Sequence, residues 1–465
     1  MEETTNLVVS EEMEEEAVGE EDAPRSRGCG CFCGPIQWVR MLAAEMHWSF
    51  VLGVVIVYGI SQGVGNALTD VATKYYMKDV QKVQPSESQV YSGIIYIPWV
   101  VKPIWGILTD VLPVAGYRRR PYLVLADVVI DACVAQNSIS HPSLAADMQS
   151  LCALSESTGG LLGFVISGIL VHRMGPVGVF ALLTIPAGLV LLLGNILDEL
   201  HTPNFAYRQV SQKFLDAGKA MWTTLKIPAV WRPCVYIYTS IALSLNIRDG
   251  MFYWYTDADG GPSFSEETVG YLFSVGSVGY FLGAILFQHG LKDHPFRDML
   301  LWTQLFFGLS GMLDLVLVLR LNLKLGVPDY FFAVIDEGVS RMIGTLKLMP
   351  LYVLSSKLCP CGIEGTFFAL LMSIENIGYL SASWGGGLLL HLLGVTRTQF
   401  SNLWLAILIR NILRISPLCL LFLVPGGDPN ASLLPDEVLA SREGTETVEP
   451  QHVELLSLVN SAEAK

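Results

Sequence analysis

Long apolar stretches follow one another along almost the whole chain, and they constrain its fold more than any other feature. Only 15% of the residues are charged, well below the roughly 25% of a soluble protein. The sequence therefore predicts an all-α, polytopic membrane protein and excludes a conventional globular enzyme. Ten stretches are close to the roughly 20 residues that a helix needs to cross about 30 Å of hydrocarbon, at 48–68, 90–112, 155–172, 174–196, 230–248, 266–290, 298–319, 328–352, 364–393 and 401–424.

Two stretches of the chain, 219 residues apart, repeat the same spacing of glutamate, glycine and histidine. A parallel repeat of membrane helices is typical of transporters whose two halves rock about a central site. Glycine spacing alone could also reflect close packing between helices. The residues that correspond are Glu156, Gly159, Leu161, Gly168, His172 and Gly175 in the first copy, and Glu375, Gly378, Leu380, Gly387, His391 and Gly394 in the second.

The two halves differ in length. A second, weaker repeat aligns Gly106 with Gly283. Gly106 lies 62 residues before Gly168, whereas Gly283 lies 104 residues before the corresponding Gly387. The difference matches one helical hairpin at about 20 residues per span. The interval in the first half holds only Pro121–Gln136, which is too short to cross a membrane. We therefore predict ten full spans and a short remnant helix.

Charge separates the chain into five predicted segments. These are an acidic, disordered tail at 1–39, an N-terminal bundle at 40–196, a linker with an amphipathic helix at 197–229, a C-terminal bundle at 230–424 and a second acidic tail at 425–465. The tails carry most of the acidic excess behind the net charge of −14, so this charge says nothing about a substrate, and nucleic-acid binding has no support.

Basic residues in the connections predict the orientation of the spans. Clusters at 118–120, 208–226 and 292–297 mark the cytoplasmic side, which places both tails and the linker in the cytoplasm. Nothing near the first residue resembles a signal or transit peptide, and the sequence does not indicate which membrane hosts the protein.

Four motifs, at 106–121, 127–138, 250–255 and 364–373, resemble the folate–biopterin transporter family in its plant form, a branch of the major facilitator superfamily. The resemblance implies a two-bundle fold, with twelve helices as the family norm, and proton-coupled transport of folates or pterins. It also implies a gating charge clamp at one end of the second span, formed by Asp110, Arg118, Arg119 and Arg120. Family members have a longer segment before Asp127, at the place where the repeat predicts the shortfall.

Charged residues inside membrane spans are functional candidates by default. In the span at 328–352 we expect Arg341 or Lys347 to meet the carboxylates of a folate, and Asp336 or Glu337 to take a proton. The same four residues could instead form ion pairs that only hold helices together. Asp336 and Glu337 lie five and four residues before Arg341, which places acid and base on about one helix face.

A pterin ring offers a flat aromatic surface and an edge of N–H donors. Asp127 and Asp131 lie one turn apart and could accept from that edge. Arg248 precedes an aromatic run in which Tyr253 and Trp254 are candidates for stacking on the ring. The alternative for this run is an aromatic belt at the membrane interface.

Glu156 and Glu375, which the repeat relates, are further candidates for proton carriers, or are acids favoured at helix N-termini. No Walker loop is present, which excludes ATP-driven transport. The predicted function is a secondary active transporter for folates or pterins, with protons and the lipid bilayer as its other partners and with no metal or cofactor. The alternatives are a transport-inactive, truncated or ligand-binding membrane protein, and a carrier of another organic anion.

Overall fold

The computed structural model of the protein describes residues 33–46, 48–104, 144–186, 188, 210–257, 260–292, 294–358 and 364–426. Within these ranges every regular element is a helix and none is a β-strand, so the predicted all-α class is confirmed. Most of both acidic tails lies outside the described residues. So does the segment 105–143, which holds the remnant helix and the predicted site residues Asp110, Arg118, Arg119, Arg120, Asp127 and Asp131.

The helices are numbered here in chain order. They are α1 Cys33–Met46, α2 Trp48–Val54, α3 Asn66–Tyr75, α4 Pro85–Ile94, α5 Ile97–Val100, α6 Ala145–Leu182, α7 Val210–Leu225, α8 Pro228–Ala242, α9 Arg248–Tyr255, α10 Glu266–Leu286, α11 Phe296–Val318, α12 Leu321–Lys324, α13 Asp329–Lys357, α14 Glu364–Leu392 and α15 Leu403–Ile415. π-Helical segments at Val55–Gly65, Tyr76–Val80 and Phe287–Leu291 continue α2, α3 and α10, and the 3-10 helix Ser416–Leu423 continues α15.

The chain divides into two compact units, Met1–Val51 and Leu52–Lys465. The described part of the first unit holds α1 and the start of α2. Every contact discussed below lies within the second unit.

Each predicted span is mostly helical over its described part, although turns interrupt the spans at 90–112 and 230–248. By length and composition, five helical stretches could cross a membrane, at Val51–Val80, Asp147–Pro186, Glu266–Leu291, Phe296–Val318 and Leu403–Leu423. The helices α13 and α14 are each 29 residues long, about 44 Å at 1.5 Å per residue, and carry polar residues on their buried faces. The amphipathic linker helix is α7.

The span predicted at 230–248 is a broken helix. The helix α8 ends at Ala242 and α9 begins at Arg248, with non-helical backbone between them. The backbone N–H of Asn246 in this break donates a hydrogen bond to the carbonyl of Ala382 in α14, at 2.9 Å. Such a bond is needed because backbone polar groups inside a bilayer must find partners within the protein.

The two copies of the glycine repeat make equivalent close contacts. A Cβ at Gly168 in α6 would lie 2.6 Å from the carbonyl oxygen of Glu266 at the start of α10, and a Cβ at Gly387 in α14 would lie 2.8 Å from that of Ser86 at the start of α4. Only glycine allows the backbones to approach this closely. The helix α6 thus packs against the second helix of the other half, and α14 does the same in return.

The repeat also ends its two helices in the same way. Gly175 has φ of 71° and interrupts α6, and Gly394 has φ of 64° just after α14. A positive φ is readily adopted only by glycine, and Pro176 follows the first of these turns. The interruption at Gly175 separates the two spans predicted at 155–172 and 174–196.

Candidate functional site

Both halves of the second unit enclose one central cavity of about 590 Å³. This volume lies within the roughly 300–1,000 Å³ of small-molecule sites. The cavity is lined from the first half by the helical stretch that runs from the first π-helical segment into α3, by α4 and α5, and by α6. From the second half it is lined by the residues around the break before α9, and by α10, α13 and α14.

One end of the cavity, which we name the charged end, is formed by Asp70, Lys74, Arg248 and Asp249. The ammonium group of Lys74 pairs with the carboxylate of Asp70 one turn earlier on α3. The guanidinium of Arg248 donates to Oε1 of Glu337 at 3.2 Å, and its centre lies 4.9 Å from the ring of Phe273. Two cations and two carboxylates therefore meet at this end.

Asp249 ties the two halves together at the charged end. Its carboxylate Oδ2 accepts hydrogen bonds from the hydroxyls of Ser88, at 2.8 Å, and Ser92, at 2.9 Å. Its backbone N–H donates to Oε1 of Gln89 at 3.0 Å. Asp249 is only 2% exposed, so its carboxylate exchanges water for two hydroxyl donors of α4, and its backbone N–H exchanges water for an acceptor on the same helix.

The other end, which we name the aromatic end, is formed by Tyr96, Trp99, Tyr280 and Tyr379. The rings of Tyr96 and Tyr379 stack with centroids 5.4 Å apart and an interplanar angle of 18°. Flat rings that lie open to a cavity can extend such a stack to a flat ligand. Along α4 and α5, Ser88 at the charged end and Trp99 at the aromatic end are separated by about 16 Å of helix rise.

Two carboxylates and one ammonium group accompany these rings. Glu156 accepts a hydrogen bond from the hydroxyl of Tyr280 at 3.3 Å. Glu375 is 2% exposed, and the hydroxyl of Ser355 lies 3.5 Å from its Oε1. The Nζ of Lys102 lies 5.0 Å from the centre of the Trp99 ring, in the range of a cation–π contact.

Three of the predicted site residues line this cavity, namely Arg248, Glu156 and Glu375. Tyr253 and Trp254 lie outside it because their polar atoms bond the protein itself. The hydroxyl of Tyr253 donates to the carbonyl of Val83 at 3.1 Å, and Nε1 of Trp254 donates to that of Gly260 at 2.9 Å. Both rings are almost completely buried.

The charged cluster predicted on α13 also lies beside the cavity rather than on its wall. Arg341 donates to Glu337 at 2.8 Å, which gives Glu337 two guanidinium partners. Lys347 donates to the carbonyl of Ser240 at 2.9 Å and to the hydroxyl of Ser244 at 3.1 Å. Asp336 is 3% exposed. Asp336 and Lys347 are thus buried in the C-terminal bundle, whereas Glu337 is partly buried and the side chain of Arg341 is 41% exposed.

Several cavity residues were missed from the sequence, and one signal could have found some of them. Lys102 lies inside the predicted span 90–112, and Asp70 and Lys74 form an i,i+4 pair just beyond the predicted end of the first span. An ionisable residue in a span marks a candidate site. Gln89 and Asn66 are uncharged and gave no such signal.

Among the described residues, one group of three side chains is spaced to hold a metal ion, His172 with Glu266 and Glu267. The Nδ1 of His172 lies 3.4 Å from Glu267 and 3.7 Å from Glu266. The group sits away from the cavity, at the contact between α6 and the start of α10.

Comparison with known proteins identifies relatives of this sequence. A model of the BT1 family matches residues 62–128 and 124–433, and the two matched segments meet where the repeat predicts a shortfall. Probable folate-biopterin transporter 2 of Arabidopsis thaliana is 57% identical over 472 residues, covering 93% of this chain and 95% of that one. The folate-biopterin transporter of Synechocystis sp. is 29% identical over 426 residues, covering 84% of each chain.

The fold has counterparts among solved structures. The crystal structure of a D-xylose–proton symporter superposes with a TM-score of 0.52 at 13% identity, covering 84% of this chain and 98% of that one. At this identity the likeness concerns the fold alone. It confirms the predicted major-facilitator-like architecture of a multi-pass membrane protein.

Proposed function

The chain belongs to the BT1 family, and we propose that it is a secondary transporter that carries folates or pterins across a membrane by alternating access, coupled to protons. The relatives are named as transporters, and the predicted absence of an enzymatic function agrees with this. The observation that carries the proposal is the cavity lined by both halves, because a site shared by two movable halves is what alternating access requires.

The two ends of the cavity suit the two parts of a folate. The pterin ring is flat and would stack with the pair Tyr96 and Tyr379. Its amino and ring N–H groups would donate to the carboxylate of Glu375 or Glu156, which accept only. The carboxylates of the glutamate tail would then point to Arg248 and Lys74 at the charged end, where charge-assisted hydrogen bonds are strong.

Contacts between the halves on one side of the cavity support a gating role for that side. Nζ of Lys78 donates to the hydroxyl of Thr256 at 2.7 Å, and Nη1 of Arg397 donates to the carbonyl of Lys78 at 2.5 Å. Together with the bonds of Asp249 to Ser88 and Ser92, they must break for this side to open. On the distribution of basic residues in the loops, we propose that this side faces away from the cytoplasm and that both termini are cytoplasmic.

Uptake of labelled folic acid by a folate-requiring host tests the proposal. We expect accumulation inside cells that express the protein, and competition by unlabelled pterins. Binding without accumulation would support a transport-inactive membrane protein instead. Competition by a panel of other anions, but not by pterins, would show that the cargo is a different organic anion.

The variant Glu375→Gln tests whether this carboxyl group contributes to uptake, and Glu87→Gln is its matched control. It removes one acceptor for the pterin edge and keeps the size of the side chain, so it should weaken uptake without lowering the amount of folded protein. The same exchange at Glu87, which caps α4 by accepting from the backbone N–H of Gln84 at 3.0 Å outside the cavity, should leave the affinity for folate unchanged.

A further inference from the structure

The break between α8 and α9 lies directly before Arg248, the arginine proposed to bind the carboxylates of a folate. Non-helical backbone connects Ala242, the last residue of α8, to Arg248, the first residue of α9. Both Arg248 and Asn246, which lies within the break, line the cavity. The conformation of this short connection therefore determines where the guanidinium of Arg248 can reach.

A buried lysine contacts the start of the break. Nζ of Lys347 in α13 donates to the carbonyl of Ser240 at 2.9 Å and to the hydroxyl of Ser244 at 3.1 Å. It also lies 4.5 Å from the centre of the Phe307 ring in α11, in the range of a cation–π contact. An ammonium group has three N–H donors, so two oxygens and one ring give each of them a partner. Lys347 is 2% exposed and does not line the cavity.

The place of this ammonium group suits a helix that ends inside a membrane. The last carbonyl groups of a helix have no partner within the helix itself, and the helix dipole favours a cation at that end. The hydroxyl of Ser244 donates to the same carbonyl of Ser240, at 2.6 Å. Carbonyl, hydroxyl and ammonium group thus form a closed set of hydrogen bonds, and Lys347 fixes the backbone at the point where α8 stops.

The far side of the break is held by α14 and again by α13. The backbone N–H of Arg248 donates to Oδ1 of Asn246 at 3.1 Å, and a Cβ at Gly386 in α14 would overlap the carbonyl oxygen of Asn246. Glu337 lies about 15 Å of helix rise before Lys347 in α13, and it accepts from the guanidinium of Arg248 at 3.2 Å. The helix α13 therefore contacts the break at both ends, through Lys347 at the first and through Glu337 at the second.

We propose that Lys347 is a positioning residue for substrate binding, which fixes the end of α8 and so holds the break in the conformation that presents Arg248 to the carboxylates of a folate. This inference rests on the proposed function. It gives Lys347 a role other than the direct contact with folate that the sequence predicted. A pterin has no glutamate tail, so the effect of Lys347 should be confined to ligands that carry one.

Binding of labelled folate, and of a pterin without a glutamate tail, to purified full-length variants tests the inference. Lys347→Met keeps a side chain of similar length whose thioether suits the ring of Phe307, and it leaves the carbonyl of Ser240 its bond from Ser244. The variant should bind folate about threefold to tenfold more weakly, as expected for lost hydrogen bonds, and bind the pterin like the wild type. Equal losses for both ligands would overturn the inference, because they would indicate general damage to the bundle.

A double-mutant cycle with Arg248 separates positioning from direct contact. If Lys347 acts through Arg248, then Lys347→Met should have no further effect on folate affinity in an Arg248→Gln background. A direct contact between Lys347 and folate predicts instead that the two losses multiply, and that result would overturn the inference.

Hydrogen–deuterium exchange at the backbone N–H groups of residues 243–247, measured without any ligand, tests whether Lys347 fixes the break. Exchange reports local opening of the backbone, and it should be about threefold to tenfold faster in Lys347→Met than in the wild type. Unchanged exchange would overturn the inference. If Lys347→Met does not fold, Ser244→Ala provides the second variant, since it removes one acceptor of the same ammonium group and should show the same faster exchange and the same selective loss of folate.

The control for these measurements is Lys324→Met, at an exposed position in α12. It makes the same chemical change away from the break and should alter neither ligand binding nor exchange at 243–247. A wild type that binds neither folate nor pterin would contradict the proposed function, whereas unchanged exchange in Lys347→Met would contradict the inference alone, because exchange is measured without a substrate.

Discussion

In both copies of the internal repeat a glycine, Gly168 or Gly387, lies against the backbone of the facing helix, but the two copies have different polar partners. Glu156 in α6 is half-buried and meets the hydroxyl of Tyr280 in α10. Glu375 in α14 is fully buried, beside Ser355 and in the field of Lys102 just after α5. The helix α10 in the second half corresponds to α4 and α5 in the first half. The glutamate of α6 thus meets a tyrosine of the facing half, whereas the glutamate of α14 is close to a lysine of the facing half.

This difference shows how a duplicated fold produces an asymmetric site. The glycines are constrained by backbones that touch, so they stay alike in both copies. The side chains that face the cavity are free of that constraint and can diverge. A folate is itself asymmetric, with a flat ring at one end and carboxylates at the other, and only a cavity with unlike ends can orient it.

The largest expected effect comes from breaking the helix contacts themselves. A Cβ at Gly159 would overlap the carbonyl oxygen of Gly59, whereas a Cβ at Gly378 would lie 3.0 Å from side-chain carbons of Ile241 and 3.4 Å from the carbonyl oxygen of Tyr238. Gly159→Ala should therefore destabilise the protein by about 3 kcal/mol or more, and Gly378→Ala by about 1 kcal/mol. Thermal unfolding in detergent, followed by size-exclusion chromatography, measures both.

The control for this pair is Gly218→Ala in α7, where a Cβ would meet no atom within 4 Å. That variant should unfold like the wild type or slightly later, because alanine favours a helix over glycine. Equal destabilisation by Gly159→Ala and Gly378→Ala would contradict this prediction. It would mean that a helix backbone moves aside as easily as the side chain of Ile241.

The next effect separates the two glutamates. Glu375→Gln should reduce the affinity for both folate and pterin by about tenfold to a hundredfold, since a buried N–H donor of the ring that is left without its acceptor costs about 1–3 kcal/mol. Glu156→Gln should cost less, because Tyr280 already occupies one of its oxygens. Binding of labelled ligand to the purified variants measures the loss of affinity in each. A larger loss in Glu156→Gln would show that Glu156, not Glu375, is the main acceptor for the pterin ring.

A smaller effect should distinguish the two ends of the cavity. Arg248→Gln should weaken folate binding by about tenfold, equivalent to about 1.4 kcal/mol, and leave a pterin without a glutamate tail unaffected. The matched control is Arg341→Gln, which removes the other guanidinium from Glu337 but does not line the cavity. Equal losses for folate and pterin in Arg248→Gln would place the ring, not the tail, at the charged end.

The sequence predicted the fold more fully than the site. Span positions and the repeat follow from apolar length and from glycine spacing, which are local properties, so α10, α11, α13 and α14 were found with bounds close to those observed. The site depends on which face of each helix turns inward. That orientation placed Arg248, Glu156 and Glu375 on the cavity wall.

The same reasoning explains the residues that were misjudged. An aromatic run such as Tyr253 and Trp254 looks alike whether it faces a ligand or the protein, and only tertiary contacts show that both rings are enclosed. The ion pair of Asp314 with Arg410 involves two helices whose register no sequence pattern reveals. Asp314 was therefore missed although it lies within the predicted span 298–319.

The smallest expected effect concerns the contacts between the halves at the charged end. Ser88→Ala and Ser92→Ala each remove one hydrogen bond to Asp249, worth about 0.5–1.5 kcal/mol, and leave the carboxylate one remaining hydroxyl. Each should therefore shift the population toward opening of that side by about twofold to tenfold. Labelling of a cysteine introduced at Thr69, on the cavity wall, would report this opening. Glu375 and Glu156 lie at the aromatic end, so the two serine variants should leave the contributions of these glutamates to binding unchanged. That result would show that closure and substrate recognition depend on separate parts of the same cavity.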